Sequence, residues 1–114
     1  MANIYKNAKL DLTTATATNL YTVPSNSRAI VKSILVSDDS NTSSDITVNL
    51  FNGDPASSDK FVLFHEVTIA GHETKQLLTE PLIMEENEVL QITASDANKL
   101  YTVASILEIN REDR

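Results

Sequence analysis

Two histidine–glutamate pairs, His65-Glu66 and His72-Glu73, are the only places where this sequence sets an imidazole directly before a carboxylate. Zinc hydrolysis of the His-Glu-x-x-His type needs two imidazoles one helical turn apart, and neither pair supplies that order. The chain holds two His and no Cys, too few for the three or four ligands of a zinc site. His65 falls inside an apolar run and is expected to be a packed or hydrogen-bonded core residue, whereas His72 follows Gly71 and reads as an exposed turn residue. Asp38, Asp39, Asn41 and Asp45 carry oxygens of the kind calcium takes, but the glycine and closing glutamate of a calcium loop are missing. They read as a solvated loop. The serines lack a neighbouring imidazole, no Gly-x-Ser-x-Gly elbow occurs, and two glycines cannot build a phosphate-cradling loop. No catalytic, cofactor-binding or metal-binding residue is expected, and no enzyme activity.

What the sequence does supply is strands. Asp45-Ile46-Thr47-Val48-Asn49-Leu50 alternates apolar and polar with the period of a half-buried strand. Asn52-Gly53-Asp54-Pro55 ends it with turn residues. Residues 28–37 are rich in β-branched types and apolar on both sides in places, as in a central strand. Residues 61–69 are expected to set Phe61, Leu63, His65, Val67 and Ile69 on one face. Residues 89–94 should turn Leu90, Ile92 and Ala94 inward, and residues 100–109 should bring Tyr101, Val103, Leu107 and Ile109 into register. Weaker strands are read at 4–13, 17–23, 74–78 and 82–84. Turn signals at short intervals around these runs predict an all-β fold, an antiparallel β-sandwich of about eight strands, jelly-roll or immunoglobulin-like. The repeat of Leu20-Tyr21-Thr22-Val23 as Leu100-Tyr101-Thr102-Val103 is too short to argue duplication.

The whole-chain balance narrows the partners. At 114 residues the chain suits one domain with a modest core: 1–18 an N-terminal arm and first strand, 19–109 the sandwich, 110–114 a polar tail. The net charge of −7 comes with nine scattered Lys and Arg, which argues against direct nucleic-acid contact, because phosphate binding needs a basic surface. No apolar run is long enough for a membrane span, and the first residues lack a signal-peptide plan, so cytoplasmic synthesis is expected. The absence of Trp speaks against the aromatic platform of a glycan-binding module, the reading from another functional class.

Two stretches carry a family resemblance: Asn19 to Val36, with its Leu-Tyr-Thr-Val-Pro entry into a long β-branched strand, and Pro81 to Ser95 followed by Ser105-Ile106-Leu107-Glu108-Ile109. Together they resemble small virion structural proteins of tailed bacteriophages. Where that family's turn usually has Gly-Asp, this chain has Asn87-Glu88, and Asn tolerates the left-handed conformation such a turn needs. The resemblance implies a β-sandwich carried in many copies on a virion, as a capsid decoration protein or, alternatively, a neck, collar or tail component. Partners would be other virion proteins, with self-association into a homo-oligomer such as a trimer. Candidate assembly contacts are the amphiphilic arm (Ile4, Tyr5, Lys6 and Lys9) and the acidic tip (Glu85, Glu86 and Glu88). Deleting residues 1–9 is expected to weaken assembly and leave the fold intact.

Overall fold

A computed structural model describes residues 2–110. Nine strands follow one another: β1 (Ala2–Asp11), β2 (Thr18–Thr22), β3 (Ser27–Asp38), β4 (Ser44–Phe51), β5 (Lys60–Ile69), β6 (Thr74–Gln76), β7 (Leu82–Met84), β8 (Val89–Ala94) and β9 (Leu100–Asn110). They form two antiparallel sheets. In the first, the order is β1-β9-β3-β6, with β7 also pairing β3; in the second it is β2-β8-β4-β5. Each sheet therefore alternates early and late strands, as the doubled Greek key of a jelly roll requires. An immunoglobulin-like order is ruled out by the same pairing. The ninth strand arises because one jelly-roll strand is split. β6 pairs residues 35–37 of β3 and β7 pairs residues 29–31 of the same strand. Residues 77–81, with Pro81 just before β7, interrupt the ladder between them.

The core lies between the sheets and is built by alternation. Ala29, Val31, Ile34 and Val36 of β3 are wholly buried, as are Ile46 and Val48 of β4, Leu90, Ile92 and Ala94 of β8, and Leu100 and Ala104 of β9. Two inward parities on β3, odd at Val31 and even at Ile34, are reconciled by a bulge: Val31 opposes Ile106 and Ser33 opposes Ser105, leaving Lys32 as the extra residue. Each fully buried Leu, Ile or Val contributes about 1.5–3 kcal/mol of apolar transfer free energy. Val36 on β3 and Ile46 on β4, with their neighbours, are thus what holds the layers together.

On β9 Tyr101, Val103, Leu107 and Ile109 share one face, as the register reading expects, and it is the outer one; the buried residues are Leu100, Thr102, Ala104, Ile106 and Glu108. Three sequence expectations are corrected. On β5 the register shifts on both sides of the Val48–Phe64 pair. Phe64 thereby packs against the core with Leu63 and Val67, and His65 turns out to solvent at 73% side-chain exposure, not into the core. The weak strand read at 4–13 is present as β1, but the expectation that residues 1–9 can be deleted without harm to the fold is overturned. β1 makes ten unbroken pairs with β9, from Ala2–Asn110 to Asp11–Tyr101, and Ala8 and Leu10 pack against the core. Removing residues 1–9 would strip away most of a strand. Asn49, read as outward and polar, is buried at the outer side of β4 beside the buried Phe51. Of the polar tail, Asn110 ends β9, and residues 111–114 lie outside the described residues, as does Met1.

Candidate assembly surface

His72 bonds Asn41 through Nε2 at 2.6 Å, and His65 lies 3.6 Å from Glu66. Asp38 Oδ1 accepts from both the backbone N–H and the hydroxyl of Ser40, and Asp45 Oδ1 accepts from Thr68. These oxygens are engaged by neighbouring hydroxyl and backbone donors, while Asp38 Oδ2 is buried without a hydrogen-bond partner. Among the described residues no three of His, Asp and Glu gather into a set that could hold a metal ion.

The acidic tip is also committed locally. It forms the turn between β7 and β8. Glu85 Oε1 stands 3.1 Å from Arg28 Nε, Glu86 Oε2 accepts from the Asn26 N–H, and Glu88 Oε1 accepts from the Glu85 N–H. Asn26 and Asn87 both take positive φ, at 63° and 67°, and the hydroxyl of Ser25 donates to Asn87 Oδ1. Two left-handed turns are therefore latched to each other, with the carboxylates as the latch. The Asn87 turn forms as its residue type allows.

Lys6 of the arm faces inward at the edge of the first sheet. Its Nζ lies 3.3 Å from Glu108 Oε2 and 5.9 Å from the centre of the Tyr21 ring. The Tyr21 hydroxyl donates to the same carboxylate oxygen. Burial, then the hydrogen bond and charge of Glu108, push the Tyr21 hydroxyl well above the usual tyrosine range. This trio anchors β1 and β2 across the gap between the sheets.

Tyr5 and Lys9 point the other way, onto the outer face of the first sheet, and there they meet the outward apolar residues of β9, β3 and β7. One cross-strand row runs Tyr5–Leu107–Ile30–Ile83 over β1, β9, β3 and β7. A second runs Lys9–Val103–Leu35–Gln76. Between them lies a row of small polar side chains, Asn7–Ser105–Ser33. Tyr5 is 76% exposed and Ile83 62%. Two shallow hollows open on this face, about 240 Å³ beside Lys9, Tyr101 and Val103, and about 330 Å³ beside Tyr5, Lys32 and Ser105. The outer face of the second sheet is polar along Asp45, Thr47, Gln91, Thr93 and Asn19, whereas β5 at its edge exposes Phe61 at 48% and Val62 at 51%.

The fold is shared with proteins of virus particles. A chain of the infectious bursal disease virus particle matches over 95% of this chain at a TM-score of 0.58 and 10% identity, this chain spanning 31% of it. A chain of the Helicobacter pylori bacteriophage KHP30 capsid matches over 96%, at 0.57 and 12% identity, with 89% of that chain covered. A chain of the extra small virus of the prawn Macrobrachium rosenbergii matches over 99%, at 0.50 and 14% identity, with 82% covered. This chain thus spans under a third of the bursal-virus protein and most of the other two. No family model matches the sequence, and no curated protein does. At these identities the likeness is one of fold.

The arm and the tip do not form one site. They lie on opposite edges of the first sheet, β1 and β7. Sequence reading did not single out Ile30, Leu35, Ile83, Val103 and Leu107 as one outward apolar surface. The available signal was a pair of strands, β3 and β9, with apolar residues on both alternations.

Proposed function

We propose that this protein is a non-enzymatic structural component of a virus particle, a bacteriophage capsid decoration protein that binds the assembled shell. The apolar outer face of the first sheet carries this reading. An ordinary two-layer sandwich hides its apolar residues between the layers; here a sheet is apolar on both sides, which marks a surface that another protein covers. The β-sandwich fold shared with virus-particle chains supports the same assignment. Many copies, each held by a modest contact, would attach durably because attachment is multivalent.

The test is reconstitution. Purified protein mixed with particles lacking it should co-sediment with them at micromolar concentration and reach a fixed copy number. Absence of binding to any particle surface would count against the decoration role, and labelling of bound copies in micrographs would show whether they sit on the shell or at the neck or tail.

A further inference from the structure

The outward residues of the first sheet form a palindrome. Along β9 they read Tyr101, Val103, Ser105, Leu107 and Ile109: two large, one small, two large, centred on Ser105. On β3 the bulge at Lys32 keeps the same centre, with Ile30 and Leu35 on either side of Ser33. On β1, Tyr5 and Lys9 flank Asn7. The register aligns all three centres in the single Asn7–Ser105–Ser33 row. A surface with this symmetry has a built-in complement in its own copy.

We propose that two copies of this chain pack through the outer faces of their first sheets, about a two-fold axis running across the strands along that row. Such an axis lays Leu107 against Val103 of the partner subunit and Ile30 against Leu35 of the partner subunit. Ile109 meets Tyr101 of the partner subunit. Lys9 falls over the ring of Tyr5 of the partner subunit, where an ammonium is attracted by the aromatic face. Packed sheets rotate relative to one another by about 30°, so these contacts hold most closely near the axis. An isologous contact of this kind is self-closing, as in most homodimers.

Area and charge favour a second copy as the occupant. Four strands about 4.8 Å apart and nine residues at about 3.3 Å each give a flat footprint of about 600 Å² per copy. Two copies then bury more than the roughly 1,000 Å² that a specific interface needs. The molecule carries a net charge of −7, yet on this face Lys9, Arg28 and Lys32 stand against Asp11 and Glu85. It is thus a surface through which two acidic copies can meet without setting acid against acid. The proposal goes beyond the virion reading and does not depend on it.

The test uses the full chain. Sedimentation should show a monomer–dimer equilibrium at micromolar concentration, and Leu107→Glu should shift the midpoint at least tenfold toward monomer with an unchanged melting temperature. Since the chain has no cysteine, Ser105→Cys places a single thiol beside the axis. A short bis-maleimide should cross-link it to dimer in high yield, while Thr93→Cys, on the outer face of the other sheet, should stay monomeric. A monomer at 100-fold higher concentration, or cross-linking at Thr93→Cys in place of Ser105→Cys, would overturn the proposal. So would a monomer whose Leu107→Glu variant still loses particle binding, because the shell would then be the occupant. Dimerisation without particle binding would sink the decoration reading and leave this one standing.

Discussion

The single residue that ties the two layers most firmly at their open edge is Glu108. It is buried on β9, yet it accepts from the Tyr21 hydroxyl of the opposite sheet and pairs with Lys6. Tyr21→Phe removes one charge-assisted bond to a buried carboxylate, so unfolding in urea should show a loss of about 1.5–3 kcal/mol at neutral pH. The pH dependence has a definite sign. Because the folded state holds the Tyr21 proton more tightly than the unfolded state, the stabilisation is complete below the ordinary tyrosine pKa of about 10 and declines as pH rises above it. Urea midpoints at pH 8 and pH 11 should therefore fall further apart in the wild type than in Tyr21→Phe; equal alkaline losses would remove this residue from the account. Gly71 acts by a different cause. Its φ is not positive, but a Cβ there would stand 2.7 Å from the carbonyl carbon of Asn41 and 2.8 Å from its oxygen. Backbone cannot yield as a side-chain tip can, so Gly71→Ala should cost about 1–3 kcal/mol, read as a lowered melting temperature.

At the scale of elements, the parity of each strand decides which substitutions matter. Ile106 and Leu107 are neighbours of the same chemical class on β9, yet Ile106 is 2% exposed and sits in the core, whereas Leu107 faces outward. Ile106→Asp should abolish folding, because an unpaired carboxylate would be buried. Leu107→Asp should leave the circular-dichroism spectrum and melt nearly unchanged. Ile34→Asp, on the wholly buried side of β3, should behave like Ile106→Asp. The same logic explains what could be read in advance. Strands β3, β4, β8 and β9 were legible within a residue or two, since β-branched runs between turn residues have no competing helical period. Faces were legible on β8 and on the inward side of β4, where pairing is regular. They were not legible on β5, where two register shifts change the parity, or on β9, where both alternations carry large apolar residues and only the opposing layer settles which is inside. β1 was legible only as a weak strand, because much of its strand character comes from β9 beside it, an external ladder that composition does not report. The acidic tip was found as a cluster, but its role as a latch between the Asn26 and Asn87 turns depends on residues 60 positions apart and has no local signature.

For the whole molecule, the governing contrast is between an acidic exterior and one apolar, nearly charge-balanced face. Net charge keeps copies apart at long range, while the apolar rows attract only at contact. Salt separates these two effects. Raising ionic strength from about 50 mM to 500 mM shortens the screening length severalfold, which weakens repulsion between copies of charge −7 and between the two Lys32 ammonium groups that the two-fold would bring near its axis. Burial of Leu107, Val103, Ile30 and Leu35 is not reduced by that screening. Self-association measured by sedimentation should therefore hold steady or tighten by a few-fold as salt rises, and Lys32→Met should reproduce part of the tightening at low salt. An ionic docking surface would respond in the opposite direction, losing affinity steeply with salt. That result would place the contact on the acidic loops and the Arg28–Glu85 end of the sheet, and would leave the exposed Tyr5 and Ile83 at the two ends of the Tyr5–Leu107–Ile30–Ile83 row without a partner.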